Sequence, residues 1–148
     1  ESSGIWFNYF VRNDMKFIYN ESSALARDNF YVVTPKIDVY VLFALLNNYF
    51  TYYQLEANGK KYGSGLLKLQ TYDIKDLTFI DIDDINEGDL NELKVVSNKL
   101  INTGDILNID AITNIISKYT EVTGVKIKGA YLNIKNKRLE ETLWVIQQ

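Results

Sequence analysis

The chain has 148 residues, 47% of them apolar and 14% aromatic, and carries a formal charge of −3 at pH 7. That length fits one domain with a small appended part, and it permits a self-sufficient core. There is no cysteine and no histidine, which excludes a disulfide framework, thiol chemistry, and the commonest general base and metal ligand.

The charge is segregated. Residues 1–70 hold seven basic against six acidic side chains, residues 71–93 one against eight, and residues 94–148 eight against five. The acidity is one block, so a local basic face remains possible on either side of it. No signal peptide pattern is seen, and no apolar run is long enough to span a bilayer. Glu1 stands where an initiator methionine would be, which suggests a fragment of a longer chain.

Ile5 to Val11 (IWFNYFV) is aromatic and β-branched and predicts a strand. Arg12-Asn13-Asp14 reads as a turn, and Lys16 to Tyr19 as the second strand of a hairpin. Glu21 to Asp28 is polar and small, a loop with at most one helical turn. Asn29 to Thr34 is a third strand, ended by Pro35, which cannot donate to a ladder. Asp38 is a suitable N-cap for a long helix. Its apolar positions Val41, Leu42, Leu45, Leu46, Tyr49, Phe50, Tyr53 and Leu55 fall at helical spacing, and Asn58-Gly59 stops it.

The chain then turns basic at Lys60-Lys61, passes through Tyr62-Gly63-Ser64-Gly65, and enters a strand over Leu66 to Gln70. Tyr72 to Leu77 reads as a short helical turn, and Thr78 to Ile82 as a last strand. From Asp89 the pattern is helical: Leu90 to Ile101, then Ile109 to Tyr119, then Leu132 to Gln148. Gly124 to Ala130 is open, because Val125 and Ile127 alternate with lysines as a short strand would.

The glycine loop is the strongest single element. Gly63 and Gly65 allow close approach of a backbone or ligand, and Lys60 and Lys61 supply charge. The same residues would also serve as a plain helix-to-strand connection with solubilising lysines. GKKYGSG is not a P-loop, since no Gly-Lys-[Ser/Thr] follows at the required spacing. Nor is it a dinucleotide fingerprint, which opens a helix rather than a strand. In the run Asp81 to Asp89 the sixth position, where an EF-hand loop needs glycine, is Asn86, so it reads as a solvated linker and no metal site is expected. Arg12 and Asn13 on a turn can take base edges or phosphate. Lys126, Lys128, Lys135, Lys137 and Arg138 read most simply as a wet surface able to touch phosphates.

In combination these stretches resemble a family. The helix LFALLNNYF, the segment YGSGLLKL, and Leu77 to Asp81 resemble in turn the "LLALLNS…F…Y", "GxxYGGGLLKL" and "xxLxxLPxPD" motifs of the C-terminal target recognition domain of TaqI-like adenine-N6 DNA methyltransferases. Ser64 replaces a common third glycine, and Thr78 and Ile80 replace the usual prolines. The catalytic Asn-Pro-Pro-[Tyr/Phe] signature is absent, because the only proline, Pro35, follows Thr34.

The resemblance implies the recognition half of a bacterial, cytoplasmic restriction–modification methyltransferase, without its catalytic half. The expected fold is α+β: a small, mostly antiparallel sheet packed on a long core helix over residues 1–84, then a helical C-terminal subdomain over 85–148. The implied partners are double-stranded DNA and a catalytic methyltransferase domain in the same parent chain, with no membrane. S-adenosylmethionine would serve that parent enzyme, and no cofactor is expected in this fragment. The residues expected at DNA are Arg12, Asn13, Lys16, Lys60, Lys61, Tyr62, Ser64, Lys68 and Gln70. The alternative is a non-enzymatic protein-interaction module, with the aromatics as its docking surface.

Overall fold

The computed structural model describes residues 4–20 and 30–147. The first predicted strand divides in two: β1 (Gly4–Asn8) and β2 (Phe10–Val11) belong to different sheets. Asn8 marks the division, its Oδ1 accepting the N–H of Phe10 at 2.9 Å. Such a local bond competes with the ladder and lets the chain turn. β3 (Phe17–Asn20) and β4 (Phe30–Val33) flank β1 antiparallel, with Phe7 opposite both Phe17 and Tyr31. The loop expected over Glu21 to Asp28 lies outside the described residues.

The predicted long helix is two helices, α1 (Val39–Leu46) and α2 (Tyr49–Asn58). Asp38 caps α1 as expected, its carboxylate accepting the N–H groups of Tyr40 and Val41 at 2.9 and 3.1 Å. Two buried asparagines make the break. Asn48 donates to the carbonyls of Ala44 and Leu45 at the end of α1, and its Oδ1 accepts the N–H of Thr51 in α2. One side chain thereby closes one helix and opens the next. Asn47 turns toward the sheet: its Oδ1 accepts the Phe17 N–H at 3.0 Å and its Nδ2 donates to the Phe17 carbonyl at 3.2 Å.

α2 ends at Gly59, where a Cβ would stand 2.7 Å from Leu67 Cδ1 and 2.9 Å from the Leu55 carbonyl. The glycine is needed there for close packing, since φ is an ordinary −63°. β5 (Lys60–Tyr62) and β6 (Leu66–Lys68) follow, joined by one tight 3₁₀ turn over Gly63–Gly65, and with β2 they form a second antiparallel sheet in the order β2-β6-β5. The sequence reading treated Lys60 to Tyr62 as loop, because its basic character hides the pairing.

α3 (Thr71–Lys75) matches the expected helical turn. Thr78 to Ile82 is not a strand. Its backbone pairs with a side chain instead: Gln54 accepts the Thr78 N–H at 2.8 Å and donates to its carbonyl at 3.0 Å. Three helices complete the chain: α4 (Glu87–Thr103), α5 (Leu107–Ser117) and α6 (Gly124–Gln147). Gly124 to Ala130 is therefore helical, with Ile127 and Tyr131 buried four residues apart on one face.

The core runs continuously from Ile5, Phe7 and Phe17 of the first sheet, through Leu46 and Leu55, to Leu93, Ile112 and Tyr131 of the C-terminal helices. α1 packs on α4, α2 packs on α6, and α6 also packs against the glycine turn. The architecture is α+β, with two small antiparallel sheets and a helical C-terminal region.

Candidate nucleic-acid interface

The second sheet has two unlike faces. Val11 and Leu67 lie opposite each other and are buried. The other face carries Phe10, Lys68, Lys60 and Tyr62, because Phe10 pairs with Lys68, Lys68 pairs with Lys60, and Tyr62 lies two residues beyond Lys60. Phe10 and Tyr62 remain 36% and 37% exposed. The Lys60 ammonium lies 5.3 Å from the Tyr62 ring centroid and that of Lys68 5.7 Å from Phe10. Among the described residues neither lysine has a carboxylate partner.

The glycine turn beside this face is tightly held. Ser64 has φ 69° and Gly65 φ 73°, so two successive residues occupy the left-handed region. Gly65 adopts it without penalty, whereas Ser64 does so at a cost. Both carbonyls are taken by guanidinium groups: Arg12 Nη1 donates to Ser64 O at 3.3 Å, and Arg138 Nη1 donates to Gly65 O. Arg138 also donates to the Arg12 carbonyl at 2.7 Å, and its Nε and Nη2 make a two-pronged pair with the Glu56 carboxylate, both at 2.8 Å. The Arg138 and Glu56 side chains are 1% and 0% exposed. Arg138 is thus a buried staple and not the wet surface expected of it.

The other predicted residues are distributed as follows. Lys61 is exposed but donates to the Glu56 carbonyl at 3.0 Å, complementing the C-terminal end of α2. Gln70 is the N-cap of α3, with its N–H held by Asp73 at 2.7 Å. Asn13 is exposed beside Arg12.

Lys16 lines a groove of about 630 Å³ with Tyr49, Tyr52, Tyr131, Lys128 and Lys135. In that groove burial, and next the charge of Asp110, pushes the Tyr49 phenol above its ordinary value. Burial and then Glu56 do the same to Tyr131. The structure therefore brings Arg12, Lys60, Tyr62, Ser64 and Lys68 to the second sheet and its turn, and sets Lys16 in the groove.

Sequence reasoning missed Phe10 and Glu56, and it misread Arg138 as surface. Phe10 needed the register with β6. For the other two a signal existed, since each is a lone charge on an apolar helical stripe. Glu56 follows Tyr49 and Tyr52 on α2, and Arg138 follows Ile127 and Tyr131 on α6.

The acidic stretch serves helix starts. Asp81 caps a 3₁₀ turn, Asn86 caps α4, and Asp89 accepts hydrogen bonds from Tyr119 Oη and Lys118. Among the described residues, no helix is long and apolar enough to cross a membrane.

A family model described as the C-terminal domain of the Type II methyltransferase M.Eco57I matches residues 1–119. No curated protein and no solved structure gives a significant match. The family match takes in both sheets, the glycine turn and α1 to α5. The chain therefore belongs to the family of Type II methyltransferase M.Eco57I C-terminal domains.

Proposed function

We propose that this chain is the DNA target-recognition domain of an adenine-N6 methyltransferase of a restriction–modification system. It holds duplex DNA while a catalytic domain elsewhere in the parent chain flips the adenine and transfers a methyl group from S-adenosylmethionine. The observation that carries the reading is the exposed face of the second sheet. Like charges directly opposite each other in a ladder are unfavourable by a few tenths of a kcal/mol, yet Lys60 faces Lys68 there, between two exposed rings, with no acidic partner among the described residues. A polyanion relieves that repulsion.

Lys60 and Lys68 take phosphates, which positions the domain, and Arg12, Asn13 and Tyr62 are the side chains offered to base edges. The M.Eco57I family supports the methyltransferase setting; adenine specificity rests on the resemblance in the glycine segment and the helix before it.

The test is a titration of the chain against labelled duplex DNA at several salt concentrations. Lys60→Ala/Lys68→Ala is expected to weaken binding across sequences and to lower the slope of log K against log salt by about 0.9 per lysine. An unchanged affinity and slope would remove the face from the interface. A docking role for another protein has one observation in its favour, the exposed Ile106 and Leu107 at the start of α5. A wild-type chain that does not bind duplex DNA, together with a protein association lost on Ile106→Ser/Leu107→Ser, would favour it.

A further inference from the structure

The strongest polar constellation in the molecule lies behind the proposed interface and not on it. Glu56 on α2 and Arg138 on α6 form a fully buried two-pronged pair. The same guanidinium takes the carbonyl of Gly65 in the turn and that of Arg12 at the end of β2. Arg12 then donates to Ser64. An unbroken chain of hydrogen bonds therefore runs from the core helix α2, through α6, to the two segments that border the exposed basic face. α6 lies beyond the residues that match the family model.

We propose that Arg138 is a positioning residue for the DNA-contacting turn, an inference that rests on the reading of this face as a DNA interface. Buried ion pairs are poor devices for stability alone, because apolar residues of similar volume do as well or better. What an apolar residue cannot do is hold two backbone carbonyls from separate segments in one plane. A planar guanidinium does this while its other edge is fixed by a carboxylate. Arg138 thus sets the left-handed Ser64-Gly65 turn against the Arg12 segment, and helix α6 governs DNA affinity without touching DNA. Lysine keeps the charge and loses the fork, so it cannot substitute.

The test compares wild type, Arg138→Lys and the charge-free double variant Glu56→Leu/Arg138→Met. Each is measured by thermal unfolding, by site-resolved amide exchange, and by titration with a labelled mixed-sequence duplex over a range of NaCl. The double variant is expected to fold, since it leaves no lone buried charge. Exchange at residues 62–68 and 10–13 should quicken by about tenfold or more while α1 and α4 keep their protection. Duplex affinity should fall about tenfold, with the salt slope unchanged because no phosphate contact is lost.

Unaltered exchange at the turn, or equal acceleration everywhere, would overturn the inference and leave Arg138 a stability residue. So would a double variant that cannot fold. Wild-type binding that the variants leave intact overturns it alone. A wild type that does not bind duplex DNA sinks the interface reading and this inference with it.

Discussion

Ser64 is the one described non-glycine residue with positive φ. A side chain in the left-handed region costs about 1 kcal/mol. Ser64→Gly is therefore expected to raise stability by up to about 1 kcal/mol in denaturant unfolding, with the turn unchanged because Arg12 and Arg138 bind backbone carbonyls. A loss of stability would mean that the hydroxyl has a role its contacts do not reveal. Asp89 gives a pH-dependent case. The hydrogen bond from Tyr119, and then Lys118, hold its carboxyl below the ordinary value of 3.8. A carboxyl lowered on folding adds stability above its unfolded value, and this is lost as pH falls through the folded one. Tyr119→Phe removes the largest cause, so stability at neutral pH should fall, its further loss below the ordinary carboxylate value should be shallower, and the acid unfolding midpoint should move upward. An unmoved midpoint would show that Lys118 alone suffices.

At the scale of elements, the second sheet combines a buried face built for packing with an exposed face carrying opposed charge. Lys60→Ala/Lys68→Ala should leave thermal stability level or slightly higher, since it removes a repulsive cross-strand pair worth about 0.2–1 kcal/mol. A marked fall in Tm would mean that the contacts of the two ammonium groups with Tyr62 and Phe10 outweigh their repulsion. How much of this was legible varies with where each element gets its partners. The cap at Asp38, the stop at Gly59 and the periodicity of α4 and α5 are local, and sequence reveals them. The break at Asn47-Asn48 was hidden, because an asparagine inside an apolar run signals a break only once its tertiary acceptors are known. Lys60 to Tyr62 was hidden because its pairing lies with β6 and its side chains alone favour a loop. Thr78 to Ile82 alternates like a strand, yet it finds the Gln54 side chain in place of a neighbouring strand.

For the whole molecule, the site was legible as a stretch and not as an arrangement. The glycine turn and its flanking lysines could be picked out, but the buried staple joins residues 82 apart in sequence, a distance no local pattern spans. That staple bears on how the chain unfolds. Arg138 and Glu56 link the two halves of the sequence, and Ser97 Oγ donates to the Tyr40 carbonyl between α4 and α1 at 2.7 Å. A single cooperative transition is expected, with tyrosine fluorescence and far-ultraviolet dichroism coinciding. Two separable transitions would instead mark a folding boundary near residue 85.

Asn47 carries a further consequence. β3 is an outer strand of the first sheet, and the Phe17 N–H and carbonyl bound by Asn47 face away from β1. Free outward backbone groups on such a strand invite another chain to extend the sheet. One carboxamide from the helix break occupies both groups of Phe17, as Gln54 does for Thr78. The β3 edge of the sheet is thereby capped at Phe17 by a single side chain, with no extra strand, at the point where the core helix breaks.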